Sequence, residues 1–200
     1  MNPPDFEQAK HYALERLARE LPPSLFYHSV IHTRDEVVPA VEQLAAVEGI
    51  TGEALLLLQT AAYFHDIGFI ECYTGHEAAG VRIAAAALPR FGYAPAHLAV
   101  IGEIILTTRL PQSPRTRLEE IMADADLDLL GREAFWTRNY DLRAELAALG
   151  RQTTDDAWLR GQLKFIQSHR YFTAAARALR DAGKQKNAQA LRTRLANGAG

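Results

Sequence analysis

His65 and Asp66 stand in an apolar run, with Ala61-Ala62-Tyr63-Phe64 before them and Ile67-Gly68-Phe69-Ile70 after. A charge buried in such surroundings is costly without a partner, and a divalent cation is a partner that imidazole and carboxylate can share. In a regular helix adjacent side chains diverge by about 100°. Gly68 follows closely, so the backbone is expected to turn here and aim both groups at one ion. Taken alone, the pair reads more readily as a core histidine beside an aspartate capping a helix end. Upstream, His28 and His32 lie four apart and share one helix face. Together they could chelate one ion. His28 is read as a helix-start or supporting residue, and His32 as the ligand.

These residues need elements to hold them, and apolar positions recur at helical spacing along nearly the whole chain, without the alternating runs that mark strands. The fold expected is all-α. A first helix spans about Phe6 to Glu20 and is stopped by Pro22-Pro23. A second covers Ser29 to Val47 and ends at Gly49, and a third starts behind Thr51 and carries Ala54 to Phe64. Thr74 and Glu77 have the spacing of a capping box, so a fourth helix starts near His76 and runs to about Arg90. Pro95 opens a helix reaching Thr107, Leu110 to Pro114 is a loop, and Arg117 to Leu130 is a helix stopped by Gly131. Helices over Glu133–Leu149, Asp155–Ser168 and Phe172–Ala196 complete the chain, and Asn197 to Gly200 is expected to fray. Gly150 to Thr154 is the one candidate boundary. Residues 1–150 then form the metal-binding bundle, and 151–200 a helical hairpin extension packed on it.

Length and composition bound the function. Two hundred residues suffice for one self-standing core, and 48% apolar with 23% charged residues is ordinary for a globular protein. A formal charge of -2 gives no general drive toward nucleic acid, although a few basic residues around one pocket would serve a small anion. No apolar run approaches the roughly 20 residues that span a bilayer, and Met1 to Lys10 lacks the order of a signal peptide. With Cys72 the only cysteine, an internal disulfide and multi-thiolate zinc sites are excluded, and a reducing cytoplasm is the expected home.

The order of the candidate ligands resembles the HD-domain metal-dependent phosphohydrolases, whose pattern is a histidine, then His-Asp about 30 residues later, then a distant aspartate. The matching residues are His32, His65-Asp66 and the Asp124-Ala125-Asp126 segment. More narrowly, Tyr27-His28 through His32-Thr33, Phe64 to Gly68, His76-Glu77 and Asp124 to Asp128 resemble small stand-alone members of that family, over a stretch from Tyr27 to Gly131. The resemblance implies an HD-type helical bundle with one or two divalent ions, used to hydrolyse phosphoesters or phosphoanhydrides, usually of nucleotides. Asp124 and Asp126 are two apart, so one of them should reach the ion. Asp126 has Met122, Leu129 and Leu130 on its face whereas Asp124 has Glu120 and Asp128, so Asp126 is chosen and Asp124 is the alternative. Two-metal branches of the family carry further histidines. His76 could match one, but Ile104 to Thr108 offers none at the later position, so one ion is expected.

The expected metal set is therefore His32, His65, Asp66 and Asp126, holding manganese, iron, nickel, zinc or magnesium. Such an ion acidifies a bound water and polarises a phosphoryl oxygen, which would deliver hydroxide to phosphorus. Asp66 and His76 are the expected catalytic residues. His76 stands at a helix N-terminus suited to phosphate and would contact it or protonate the leaving oxygen. The substrate expected is a small phosphorylated metabolite, nucleotide above all, with no membrane partner. Arg34, Arg109 and Lys164 lie near motif ends and stay outside the firm site. The basic run Arg177, Arg180, Lys184, Lys186, Arg192 and Arg194 is read as a solvated helix face.

Overall fold

A computed structural model describes residues 3–197; the chain end expected to fray lies outside them from residue 198 onward. Every regular element among the described residues is helical. The α-helices are α1 (Phe6–Glu20), α2 (Val38–Val47), α3 (Gly52–Phe64), α4 (His76–Ala87), α5 (Pro95–Leu106), α6 (Arg117–Asp126), α7 (Phe135–Ala148), α8 (Asp155–Ser168) and α9 (Ala174–Asn197). No described helix is long and apolar enough to cross a membrane.

Where the sequence supplies a cap and a stop, the helix ends fall where expected. Asp5 accepts from the Gln8 amide to open α1, and Thr154 accepts from the Ala157 amide to open α8. The second helix differs from its expected course. It is not one α-helix over Ser29–Val47: His32–Val37 is a π-helical turn that runs directly into α2. Pro39 explains the change, because it cannot donate to the Asp35 carbonyl and its ring would crowd that group in a regular helix. Widening the turn relieves both. His28 lies before any helical turn, so the shared face expected for His28 and His32 does not form.

The capping box at Thr74 also does not form. The N-cap of α4 is Gly75, at φ 80, without a side-chain bond. Here α4 is pressed end-on against a 3-10 turn, Ile67–Ile70, and a Cβ on Gly68 would lie 1.9 Å from the His76 carbonyl oxygen. Only glycine admits that contact, which carries His76 up to the turn holding Asp66. At the other ends, α4 gives way to a 3-10 turn at Leu88–Phe91 and α6 to another at Asp128–Gly131, so both helices are shorter than expected.

Two apolar clusters hold these parts together. The main one joins α1 to α6, with Phe64, Leu58, Ile101, Ile105 and Met122 among its fully buried members. A smaller one, Leu130, Phe135, Ile166, Ala188 and Leu191, ties α7, α8 and α9 to the turn after α6. The last helix is more than an appendage, since Tyr171, Ala175 and Ala176 enter the main core. A Cβ on Gly183 would meet the Gly131 carbonyl at 2.0 Å, so α9 crosses that turn backbone to backbone.

The basic run on α9 is only partly solvated. Arg180 is paired with the buried Asp128 at 2.6 Å, and Arg177 donates to the carbonyls of Tyr171 and Phe172. Arg194 stacks on Trp136, 3.7 Å from the ring centre. These bonds dock the helix, while Arg177, Lys186, Arg192 and Arg194 remain exposed as a solvated face would be.

Lys184 donates to the His169 carbonyl at 2.9 Å, and burial together with the Lys184 charge pushes the His169 imidazole down to about 4. Its value in the unfolded chain is about 6.5. As pH falls from about 6.5 toward 4 the unfolded chain takes up this proton and the folded protein does not, so stability drops across that window. Wild type is expected to lose about 1–2 kcal/mol more than His169→Asn between pH 7 and 5, after allowance for partial exposure. Urea unfolding at the two pH values measures the difference, and equal losses would refute it.

Candidate metal centre

The end of α3 is where the chemistry begins. The helix stops at Phe64, His65 keeps helical angles, and Asp66 leaves them at φ -99 and ψ 1 to start the 3-10 turn. Both side chains thereby face one point. The π-turn brings His32 from a second direction and the last residue of α6 brings Asp126 from a third. His65 Nε2 lies 3.2 Å from Asp66 Oδ2, and Asp126 Oδ1 lies 3.5 Å from the Nε2 atoms of both His32 and His65. His32 Nε2 to Asp66 Oδ2 is 3.8 Å. Ligands bound at roughly 2.0–2.2 Å to one ion stand at about this separation from each other.

The other nitrogen of each imidazole is already used. His65 Nδ1 donates to the Ala62 carbonyl at 2.8 Å, and His32 Nδ1 donates to Glu36 Oε2 at 3.0 Å. Such bonds fix the ring and leave Nε2 to face a metal. The buried atoms His65 Nε2 and Asp66 Oδ2 have no hydrogen-bond partner among the described residues. Leaving polar atoms unpaired in a core costs about 1–3 kcal/mol each, and a cation at their common point removes that cost. His32, His65 and Asp66 form a cluster that could hold a metal ion, and the carboxylate of Asp126 stands 3.5 Å from both imidazoles.

Electrostatics point the same way. Burial alone would depress the His32 imidazole, yet the Asp126 and Glu36 carboxylates outweigh it and push it up to about 10. Burial opposes the same rise in His65, which Asp66 drives. Burial would raise Asp66, but the His65 imidazole and its neighbours hold it well below the usual carboxylate range. The carboxylates demand positive charge at this point, from protons or from a cation.

Asp124 has a different task. It is fully buried and accepts from the Phe172 amide, the Thr173 amide and the Thr173 hydroxyl at 2.7–2.8 Å. The residues that lead into α9 lie over Asp124, which satisfies their free amides. His76 stands beside the cluster with Nε2 3.7 Å from Asp66 Oδ1, while its Nδ1 donates to the Tyr73 carbonyl at 3.2 Å. Phe69 packs against both His76, with centroids 3.7 Å apart, and His28 at 4.3 Å, and the two imidazoles stand 6.2 Å from each other.

A cleft of about 760 Å³ opens over Asp66 and Asp126. It is walled by Tyr27, His28, Phe69 and His76, and on the side of α7 and α8 by Leu142, Leu146 and Phe165. Comparison of the chain with protein-family models, with curated proteins and with solved structures finds no match. The functional reading therefore rests on these residues.

Several contributors carry no sequence motif. Glu36 is held by Arg138 at 2.8 Å, and Arg138 also donates to the Tyr27 carbonyl at 2.6 Å. Glu145 accepts from the amides of Tyr27 and His28, from His28 Nδ1 and from the Tyr73 hydroxyl. Arg138, Asp141 and Glu145 recur along one face of α7, and that polar stripe was the available signal. Of the basic residues near motif ends, Arg34 is exposed and paired with its neighbour Asp35, and Lys164 is exposed and outside the cleft wall. Arg109 lines the cleft, as does Arg151, and neither guanidinium has an acidic partner among the described residues.

Proposed function

We propose that this chain is a metal-dependent phosphohydrolase of the HD-domain kind, acting on a small phosphorylated metabolite of the nucleotide class. One observation carries the reading: His32, His65 and Asp66 form a buried cluster that could hold a metal, with Asp126 3.5 Å from both imidazoles, beside a cleft sized for a small molecule. A divalent ion held there supplies Lewis acidity and an acidified water.

The protein's own groups do the rest. His76 is fixed by its Tyr73 bond and its stack on Phe69, so in the doubly protonated form its Nε2–H is placed to donate to a leaving oxygen in the cleft. Arg109 and Arg151, free of acidic partners, supply the charge for the anionic parts of the substrate that lie away from the acids. The apolar far wall excludes water and takes the organic part.

A screen of mono-, di-, tri- and cyclic nucleotides with added manganese, nickel or zinc tests this. Turnover is expected in wild type and absent in His65→Ala and Asp66→Ala, while Arg151→Ala raises KM about five- to tenfold with kcat little changed. Equal phosphate release by wild type and both site variants would refute the reading.

A further inference from the structure

At the far end of the cleft two helices present a fixed hydrogen-bonding pattern. Trp158 Nε1, which can only donate, lies 2.7 Å from an Asn139 side-chain atom, so that atom is the oxygen. The Asn139 amide nitrogen then faces Gln162, 2.6 Å from Oε1. The relay Trp158 to Asn139 to Gln162 places one donor on the oxygen of each amide and leaves Gln162 Nε2, with both its hydrogens, as the terminal group. Gln162 lines the cleft, and Nε2 has no hydrogen-bond partner among the described residues. Beside it, a Cβ on Gly161 would meet nothing within 4 Å, so this stretch of α8 lies open. The nearby wall is apolar, with Leu142, Leu146 and Phe165.

From this geometry we infer that the far end of the cleft is a recognition site for a base carrying a ring carbonyl, read by the Gln162 amide donors. The inference rests on the nucleotide reading for the choice of ligand class, and on α7 and α8 for the contact. A carbonyl oxygen accepts from Nε2. At the ring position where inosine and uridine carry a carbonyl, adenine carries an amino group; its hydrogens face the Nε2 donors and leave both unpaired, while the accepting ring nitrogens of adenine lie at other positions. A site built around one polar group discriminates by such mismatches more strongly than by apolar contact.

Nucleosides test it without calling on the metal ligands, because they carry no phosphate. Binding of inosine, uridine and adenosine to the full chain is followed by calorimetry, with Trp158 fluorescence as a second reading. Inosine and uridine are expected to bind about tenfold more tightly than adenosine. Gln162→Leu should bring the three within about twofold, and Gln162→Glu, which presents an acceptor instead, should reverse the order in favour of adenosine. Trp158→Phe, which keeps a ring but frees Asn139 to turn, should weaken the preference without reversing it. Adenosine binding as tightly as the other two in wild type, an unchanged preference in Gln162→Leu, or no saturable nucleoside binding would each overturn the inference. Nucleotide turnover with no nucleoside preference sinks this inference alone, whereas a nucleoside preference without turnover sinks the phosphohydrolase reading alone.

Discussion

Asp126→Ala is expected to lower divalent-metal affinity by at least about 100-fold and to abolish turnover, while the protein stays folded. In the proposed centre this side chain is the fourth ligand: it stands 3.5 Å from both imidazoles, is partly open to the cleft, and supports no helix end. Asp124→Ala, only two residues away, should do the opposite. It strips the acceptor from two amides and a hydroxyl at the start of α9, in a place without exposure to water. About 2–4 kcal/mol of stability should go with it, whereas the folded fraction should bind metal as wild type does. Metal titration by calorimetry and thermal unfolding, run on both variants, separate the two effects. A metal loss in Asp124→Ala with retention in Asp126→Ala would place the ligand on the wrong carboxylate.

This pair of aspartates also shows what a sequence reveals and where it stops. The choice of Asp126 came from its apolar neighbours on one helix face, and that information is local. The role of Asp124 was hidden because its partners, Phe172 and Thr173, are 48 and 49 residues away. Glu120 and Asp128 beside it look like a solvated face, until Asp128 is seen to be buried under Arg180 of α9. For the same reason α1 and α8 were legible to the residue, since cap and stop sit next to the helix. The π-turn was not, although Pro39 marked it, because the strain of a proline can be relieved by a kink, a break or a wider turn. His65 and Asp66 stand out as polar groups in apolar surroundings, and His32 by its spacing from His28 and from the His-Asp pair. Glu36, Arg138 and Glu145 did not, because an acid or arginine on a helix carries no sign of the distant group it serves. The amide relay to Gln162 likewise joins two helices through side chains 19 and 23 residues apart, with no motif.

The largest loss of stability is expected at Glu145. Its carboxylate has no exposure to water and accepts four bonds: the amides of Tyr27 and His28 at 2.9 and 3.0 Å, His28 Nδ1 at 2.5 Å and the Tyr73 hydroxyl at 3.1 Å. Burial pushes the carboxyl up, but the His28 imidazole and the two amides outweigh it and hold it below its ordinary value. The charge is therefore kept inside the fold by the loop it clamps, and that loop, between α1 and the π-turn, carries one wall of the cleft. Glu145→Ala leaves two amides, an imidazole and a hydroxyl facing a void, and should cost about 3–5 kcal/mol, or roughly 6–20 °C in Tm for a domain of this size. Glu145→Gln keeps the shape and one acceptor oxygen, so it should retain about half of that stability while loosening His28. The pH sign follows from the lowered value: the contribution of Glu145 is fully present above about pH 4.5 and fades only as pH falls through its folded value. Wild type and Glu145→Gln should thus differ at pH 7 and converge in acid. Thermal unfolding of both from pH 7 to pH 3 measures this. A gap that stays constant or widens toward pH 3 would show that the ionised clamp is not what holds the Tyr27–His28 loop to α7.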